Sequence, residues 1–342
     1  MDYPQADLSV APRDPLPQLN AEFPDFQIWR EDTVGGRCHY IARSLHPGTH
    51  PHTVVTGDPD ELRATLTHED GQRFDPGVPS IARVYDRWLG GKDNFAADRL
   101  VADALSEEFP EIAEVARANR QFVVRAVAHV ATAGITQFID IGTGLPTPPS
   151  IDETVRRIQP SACVAYVDCD PVVLVHTRAM LAGNRGVVVI SGDMRRPQEI
   201  LGNPRLRAVI DLGKPVCILL ASVLHFVAPA EADTIVATFT DAMASGSYLI
   251  LSSGTSSDTN PALIARLAAA YQGTAVVSGR SEAEIAGCFT GLELLPPGLA
   301  DVWAWRPDAT QSRPVRGSGR ILGAVGRKPA ASHPSPDPDG TA

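Results

Sequence analysis

Eleven residues, Gln137 to Thr147 (QFIDIGTGLPT), constrain this chain more than any other stretch. Phe138, Ile139 and Ile141 form a short apolar run of β-formers, as in a strand buried on both faces. Gly142 and Gly144 follow at once, then prolines, and Ser150-Ile-Asp-Glu153 opens a helical pattern. Strand, glycine turn and helix make the nucleotide-cofactor corner of an open α/β sheet. A Cβ at those glycines would hold the backbone away from a flat ligand. The helix start offers unpaired N–H groups to an anionic end of that ligand. Taken alone, the pattern also suits any parallel-sheet domain that turns through Gly-x-Gly.

The rest of the chain decides between the two. From 137 onward strand and helix patterns alternate: Cys163–Val167, Pro171–Ala182, Val187–Ile190, Val216–Leu220, Pro229–Ala244, Tyr248–Leu251 and Asn260–Ala270. Leu292–Leu295 and Arg320–Val325 suit a closing antiparallel pair. Repeated βα units predict a parallel, doubly wound sheet with right-handed crossovers. Before it, residues 78–134 read as a helical cap. Ser80–Leu89 is an amphipathic helix stopped by Gly90-Gly91, and a longer helix from Pro110 to Ala131 carries Ile112, Ala116, Asn119, Val123, Val127 and Val130 on one stripe. Asn119 is the polar member of that stripe, either capping a loop or reaching a ligand with Arg120.

Ahead of the cap, residues 23–75 read as a small βββα module. Phe26–Arg30 and Cys38–Ala42 form a hairpin through Gly35-Gly36, His52–Thr56 a third strand, and Asp58 the N-cap of a helix. About 50 residues are marginal alone, so the module is expected to dock on the larger domain or on a protein partner. It holds Cys38, His39, His46, His50 and His52, but lacks a Cys-x-x-Cys pair and reads as a histidine-rich loop, not a metal site. Residues 1–22 and 329–342 are proline-rich tails expected to be disordered.

Bulk properties narrow the function. The chain has 342 residues, 44% of them apolar, and a net charge of −10. No apolar run approaches the roughly 20 residues of a membrane span, and the N-terminus has no signal-peptide core. An acidic balance points away from nucleic acid. The five scattered cysteines suggest a reducing, cytoplasmic setting.

Acids then mark the site. Asp140 lies in the first strand's carboxyl edge, Asp168 directly after the second strand with Asp170 two residues on, and Asp193 after the third beside Met194. Ligands of such sheets lie over these strand ends. A carboxylate after the second strand can accept both ribose hydroxyls. One after the third can meet an adenine amino group, with Met194 against the ring. A dinucleotide turn wants a third glycine where this chain has Thr147, which disfavours a nicotinamide oxidoreductase. No P-loop occurs either. An acid just before the glycines suits a cationic ligand, and S-adenosylmethionine fits.

The segments YDRWLGGKDNF (85–95), ANRQF (118–122), QFIDIGTGLPT (137–147), YVDCDP (166–171), VLHF (223–226) and GSYL (246–249) together resemble one family. It is the S-adenosyl methyltransferase family long catalogued as a domain of unknown function in filamentous high-GC bacteria. The resemblance covers about residues 78–328. It implies a class I methyltransferase fold: a seven-stranded Rossmann-like sheet, core residues 135–328, with helices on both faces and an antiparallel last strand. It also implies direct in-line methyl transfer to an acceptor expected to be a small molecule. The cofactor-binding set is then Asp140, Gly142, Thr143, Gly144, Asp168, Asp170, Asp193 and Met194, with Arg120, Tyr85 and Lys92 as candidates for the methionine carboxylate. Among those three Arg120 is favoured. His225, just past the fourth strand, is the candidate general base. One departure stands out: the helix after the glycine turn is expected to start Asn-Val-His-Glu, and Asp152 takes the histidine's place. The alternative is a non-catalytic S-adenosylmethionine-binding regulator that meets its partner through the N-terminal module.

Overall fold

The computed structural model describes residues 14–32, 38–45, 53–59, 62–63, 66, 75–181, 184–272, 274–307 and 319–330. The chain divides into two compact units, up to Asp75 and from Pro76 onward. In the first, α1 (Leu16–Glu22) leads into an antiparallel sheet of β1 (Phe26–Asp32), β2 (Cys38–Ser44) and β3 (Thr53–Thr56). Ile28, Ala42 and Val54 stand in register across it and bury against Leu19 and Leu62. The leading tail, expected to be disordered through residue 22, is helical from Leu16. Leu19 has an apolar surface to bury against, and Asn20 bonds the C=O and N–H of Ile28 at 2.9 and 3.1 Å. Pro59, Leu62, Arg63 and Leu66 are helical. The Gly35-Gly36 connection, His46, His50, His52, residues 1–13 and those beyond Ala330 lie outside the described residues.

The second unit begins with α2 (Ile81–Leu89), ended by left-handed Gly90, then α3 (Ala96–Glu108) and α4 (Ile112–Thr132). The βα units follow. They are β4 (Gln137–Ile141), α5 (Ile151–Arg156), β5 (Cys163–Asp168), α6 (Pro171–Leu181), β6 (Val187–Ser191), α7 (Pro197–Gly202), α8 (Pro204–Val209) and β7 (Cys217–Ala221). After a 3-10 turn at Leu224–Phe226 come α9 (Pro229–Ala242), β8 (Tyr248–Gly254), α10 (Pro261–Ala270), α11 (Glu282–Gly287), β9 (Glu293–Leu294), β10 (Ala300–Asp301) and β11 (Ile321–Arg327). Helices α7 and α8, which the sequence reading leaves out, each start on a proline and fill the crossover between β6 and β7.

The sheet runs β10-β11-β8-β7-β4-β5-β6, with β9 also on β11. Strands β4 to β8 are parallel, and β11 is antiparallel to β8. The parallel sheet closed by an antiparallel strand is therefore as expected. Among the described residues the count is eight because β9 and β10, two residues each, pair separately with β11.

All five residues of β4 are buried. Ile139 and Ile141 pack with Ile235 and Phe239 of α9 on one face. Phe138 packs with Phe122 and Val127 of α4 on the other. Each such side chain contributes about 1.5–3 kcal/mol on burial, which fixes the strand's register and so the position of the turn after it. From β4 the chain moves outward to β5 and β6, then crosses back to β7, so the strand order reverses beside β4. A crevice for ligand opens at such a point. Among the described residues, no helix is long and apolar enough to cross a membrane, and no three His, Cys, Asp or Glu side chains group as a metal site.

Candidate functional site

The turn after β4 is built on left-handed backbone. Gly142 and Gly144 have φ of 68° and 66°, a region that costs other residues about 1–2 kcal/mol. The Gly142 and Thr143 N–H groups donate to the Val167 carbonyl at 2.8 and 3.2 Å. Gly144 N–H donates to Asp168 Oδ2 at 2.9 Å, and the Thr143 hydroxyl donates to Asp140 Oδ2 at 2.8 Å. The ends of β4 and β5 are thus latched by the residues that the sequence pattern singles out.

The acids differ in what they have left to offer. Asp168 is 8% exposed and accepts from backbone only, Gly144 N–H on one oxygen and Asp170 N–H on the other. A carboxylate has about four acceptor sites, so lone pairs remain. Burial pushes its pKa up to about 6, against the pull of the N–H donors. Burial raises Asp140 as well, with Thr143 and the Arg120 charge opposing. Asp170 is committed: it caps α6 through Val172 N–H at 2.8 Å and accepts from Ser80 Oγ at 2.6 Å, with Arg83 Nη1 at 3.6 Å. Asp193 is held on both oxygens by Arg195 at 2.6–3.0 Å. Burial alone would raise Asp193, but the Arg195 hydrogen bonds and charge prevail and hold it low. Met194 packs, half-buried, against the sheet core.

The three candidates for the methionine carboxylate are placed differently. Arg120 Nη2 donates to the carbonyls of Thr147 and Pro149, bracing the loop after the glycine turn, while its buried Nε has no partner among the described residues. The Tyr85 hydroxyl is occupied, donating to Ala116 O and accepting from Asn119 Nδ2, both at 2.9 Å. Its pKa is pushed up to about 12 by burial. Lys92 is exposed in the α2–α3 loop.

Two residues that sequence reading passed over extend this chain. Ser252 Oγ donates to Asn119 Oδ1 at 2.7 Å and accepts from Ser222 N–H at 3.1 Å. A sequence signal exists for Ser252, since two serines ending the apolar run of β8 are unlike its other positions; none exists for Ser222. Asn119 is 3% exposed, so Ser252→Ala leaves its carbonyl oxygen buried and unpaired. The expected loss is about 1–3 kcal/mol of stability, read from urea unfolding; an unchanged midpoint contradicts it.

Beside the turn lies a cavity whose walls include Arg120, Asp140, Thr143, Asp152, Tyr166 and Asn184. Asp152, the departure noted in the sequence, is 2% exposed. It accepts from Ser150 Oγ and Tyr166 Oη at 2.7 Å each and from Asn184 Nδ2 at 3.1 Å. Here the carboxylate serves as a hub between α5, β5 and Asn184, which lies between α6 and β6.

His225 follows β7. Its Nδ1 accepts from Gly254 N–H at 3.2 Å, and its ring lies 4.3 Å from that of Phe226. Burial and the charge of Arg280 push its pKa down to about 4.

A parallel sheet that reverses order beside a glycine turn and finishes on an antiparallel strand is the class I methyltransferase fold. The model of the S-adenosyl methyltransferase family matches residues 67–329. A DUF574-family protein from Streptomyces avermitilis is 40% identical, with 75% of this chain and 100% of that one aligned at a TM-score of 0.72. A Thermobifida fusca protein provisionally assigned as a methyltransferase is 39% identical over 74% and 96% of the two chains, at 0.70. No curated protein sequence matches this one. The chain belongs to the S-adenosyl methyltransferase family and is an S-adenosylmethionine-dependent methyltransferase. The residues present fit that cofactor: the place a Cβ would take at Gly144 is open, with no atom within 4 Å, and Asp168 beneath it keeps free lone pairs.

A role for Asp168 in holding the cofactor predicts pH-dependent binding. For the apo chain the signs conflict. Asp168, raised to about 6, adds stability as pH falls through 6. His225, lowered to about 4, loses stability as pH falls below its unfolded value near 6.5. Affinity leaves out His225 and reads the two acids at the turn, Asp168 and Asp140, both raised by burial. S-adenosylhomocysteine is expected to bind about tenfold more weakly at pH 5 than at pH 7.5, measured by calorimetry; equal affinities contradict the assignment.

Proposed function

We propose that this methyltransferase moves the methyl group in line to a small-molecule acceptor held at the carboxyl edge of β7. When bound, the cofactor supplies a methyl group activated by a sulfonium, so the protein's share is alignment and exclusion of water. Asp168 accepts the ribose hydroxyls above the Gly142-Thr143-Gly144 turn. Asp140 meets the ammonium of the methionine end and Arg120 Nε its carboxylate. Asp193 and Met194 border the adenine. Asp170 and Tyr85, both fully partnered, hold the helical cap and loops in place around the site, and Lys92 is a second cation for the carboxylate. His225 stands at the acceptor edge.

The bond from Gly144 N–H to the buried Asp168 carboxylate carries this reading, because it couples the open face of the turn to an acceptor with lone pairs to spare. The test is S-adenosylhomocysteine release from the full chain given cell extract split by size. Release with the fraction below about 1 kDa supports a small-molecule acceptor. Release only with the macromolecular fraction contradicts it, and tight cofactor binding with release from neither favours the regulator.

A further inference from the structure

Two polar groups at the carboxyl edge of β7 are left over once the interactions of the site are counted. Ser222 has φ of 56°, the left-handed region that a side chain rarely adopts. Its N–H is held twice, by Ser252 O at 2.9 Å and Ser252 Oγ at 3.1 Å. Its hydroxyl is nevertheless buried without a partner among the described residues. Strain kept in place by neighbouring bonds is characteristic of functional sites, and a buried hydroxyl without a partner asks for one. Three residues on, His225 Nδ1 is taken by Gly254 N–H. The proton of the neutral ring therefore sits on Nε2, which has no partner among the described residues. That nitrogen donates; it cannot take a proton. Behind it Arg280 is fully buried, with Nη2 3.1 Å from Pro229 O, Nη1 3.7 Å from the Asp233 carboxylate, and Nε without a hydrogen-bond partner among the described residues. Asp233, largely exposed, offsets that charge only in part, and the remainder favours an anion nearby.

We infer that Ser222 Oγ and His225 Nε2 receive the methyl acceptor, and that the reacting atom is an oxygen arriving already ionised: a carboxylate, phenolate or enolate. An alcohol or ammonium acceptor would need a base where the structure places a donor. With an anionic oxygen the balance closes without one: a lone pair on oxygen forms the O–C bond, the C–S bond breaks with its electron pair kept on sulfur, and no proton leaves. The inference rests on the methyltransferase reading, and the test separates the two.

Full-length protein labelled with 15N-histidine is first titrated with S-adenosylhomocysteine; failure there sinks the earlier reading, not this pair. On the loaded protein, the His225 signals, assigned by their loss in His225→Gln, are expected to show Nε2 protonated and Nδ1 bare. Four probes follow: 4-nitrophenolate, benzoate, benzyl alcohol and benzylamine. The two anions should bind at least about tenfold tighter than the neutral alcohol and the amine, as one charge-assisted bond allows. His225→Leu should lose that preference, and His225→Gln, which keeps an N–H donor, should retain most of it. Ser222→Gly should weaken anion binding while the melting temperature holds or rises, since the strain is released with the hydroxyl. A bare Nε2, equal binding of alcohol or amine, no probe binding at millimolar concentration, or a preference that survives His225→Leu overturns the proposal.

Discussion

Asp168→Ala is expected to weaken S-adenosylhomocysteine binding more than about 100-fold while the protein stays folded. Its carboxylate is buried and bonded only to backbone N–H groups, whereas Asp170 and Asp193 spend both oxygens within the protein. Two ribose hydroxyls donating to a buried charge contribute about 1.5–3 kcal/mol each, and each 1.4 kcal/mol is tenfold in affinity. Folding feels two opposed changes. The Gly144 and Asp170 N–H groups lose their acceptor, but a carboxylate whose pKa burial has raised to about 6 no longer has to be desolvated. Asp168→Asn, of equal size and one acceptor oxygen, should fall between the variant and the wild type. Calorimetry reads the affinity and circular dichroism the fold. Affinity within threefold of wild type in a folded Asp168→Ala protein would contradict this role.

Gly142→Ala should be the most damaging small substitution in the site, at about 2–5 kcal/mol of stability. One part is conformational, since φ of 68° costs a residue with a Cβ about 1–2 kcal/mol. The other is steric: the added Cβ would stand 2.6 Å from Val223 Cγ1, and overpacking of this kind costs about 1–3 kcal/mol. Val223 leads into the His225 turn, so the clash also shifts the acceptor edge. The two parts separate in a double-mutant cycle. Val223→Ala should return the steric part in the Gly142→Ala background, giving a coupling of about 1 kcal/mol or more, and leave the conformational part. Urea unfolding of the four proteins measures it. Strict additivity would mean that the close approach of Gly142 to Val223 does not limit this turn.

The resemblance in the sequence and the observed sheet agree because local signals decide both. A buried apolar run before Gly142, and an acid at each following strand end, follow from period and turn chemistry without knowledge of distant partners. What the sequence left open depends on contacts across many residues. Asp170 is taken by Ser80, 90 positions earlier, and Arg120 braces carbonyls 27 and 29 positions later. No spacing rule shows either. Asn119 had two readings, and the structure spends it inside the protein, between Tyr85 and Ser252. The left-handed Ser222 has no composition cue at all. The helix at Leu16–Glu22 escaped because its prolines outweighed Leu19, whose burial depends on strands that come later.

The glycine turn and its neighbouring acid are expected to accept an adenosyl ligand without a pyrophosphate. Calorimetry on the full chain, with S-adenosylhomocysteine in one series and NAD in the other, tests that most directly. Saturable binding of the first at one site per chain, with no heat from the second, is the predicted result. Heat from NAD with none from S-adenosylhomocysteine would contradict it.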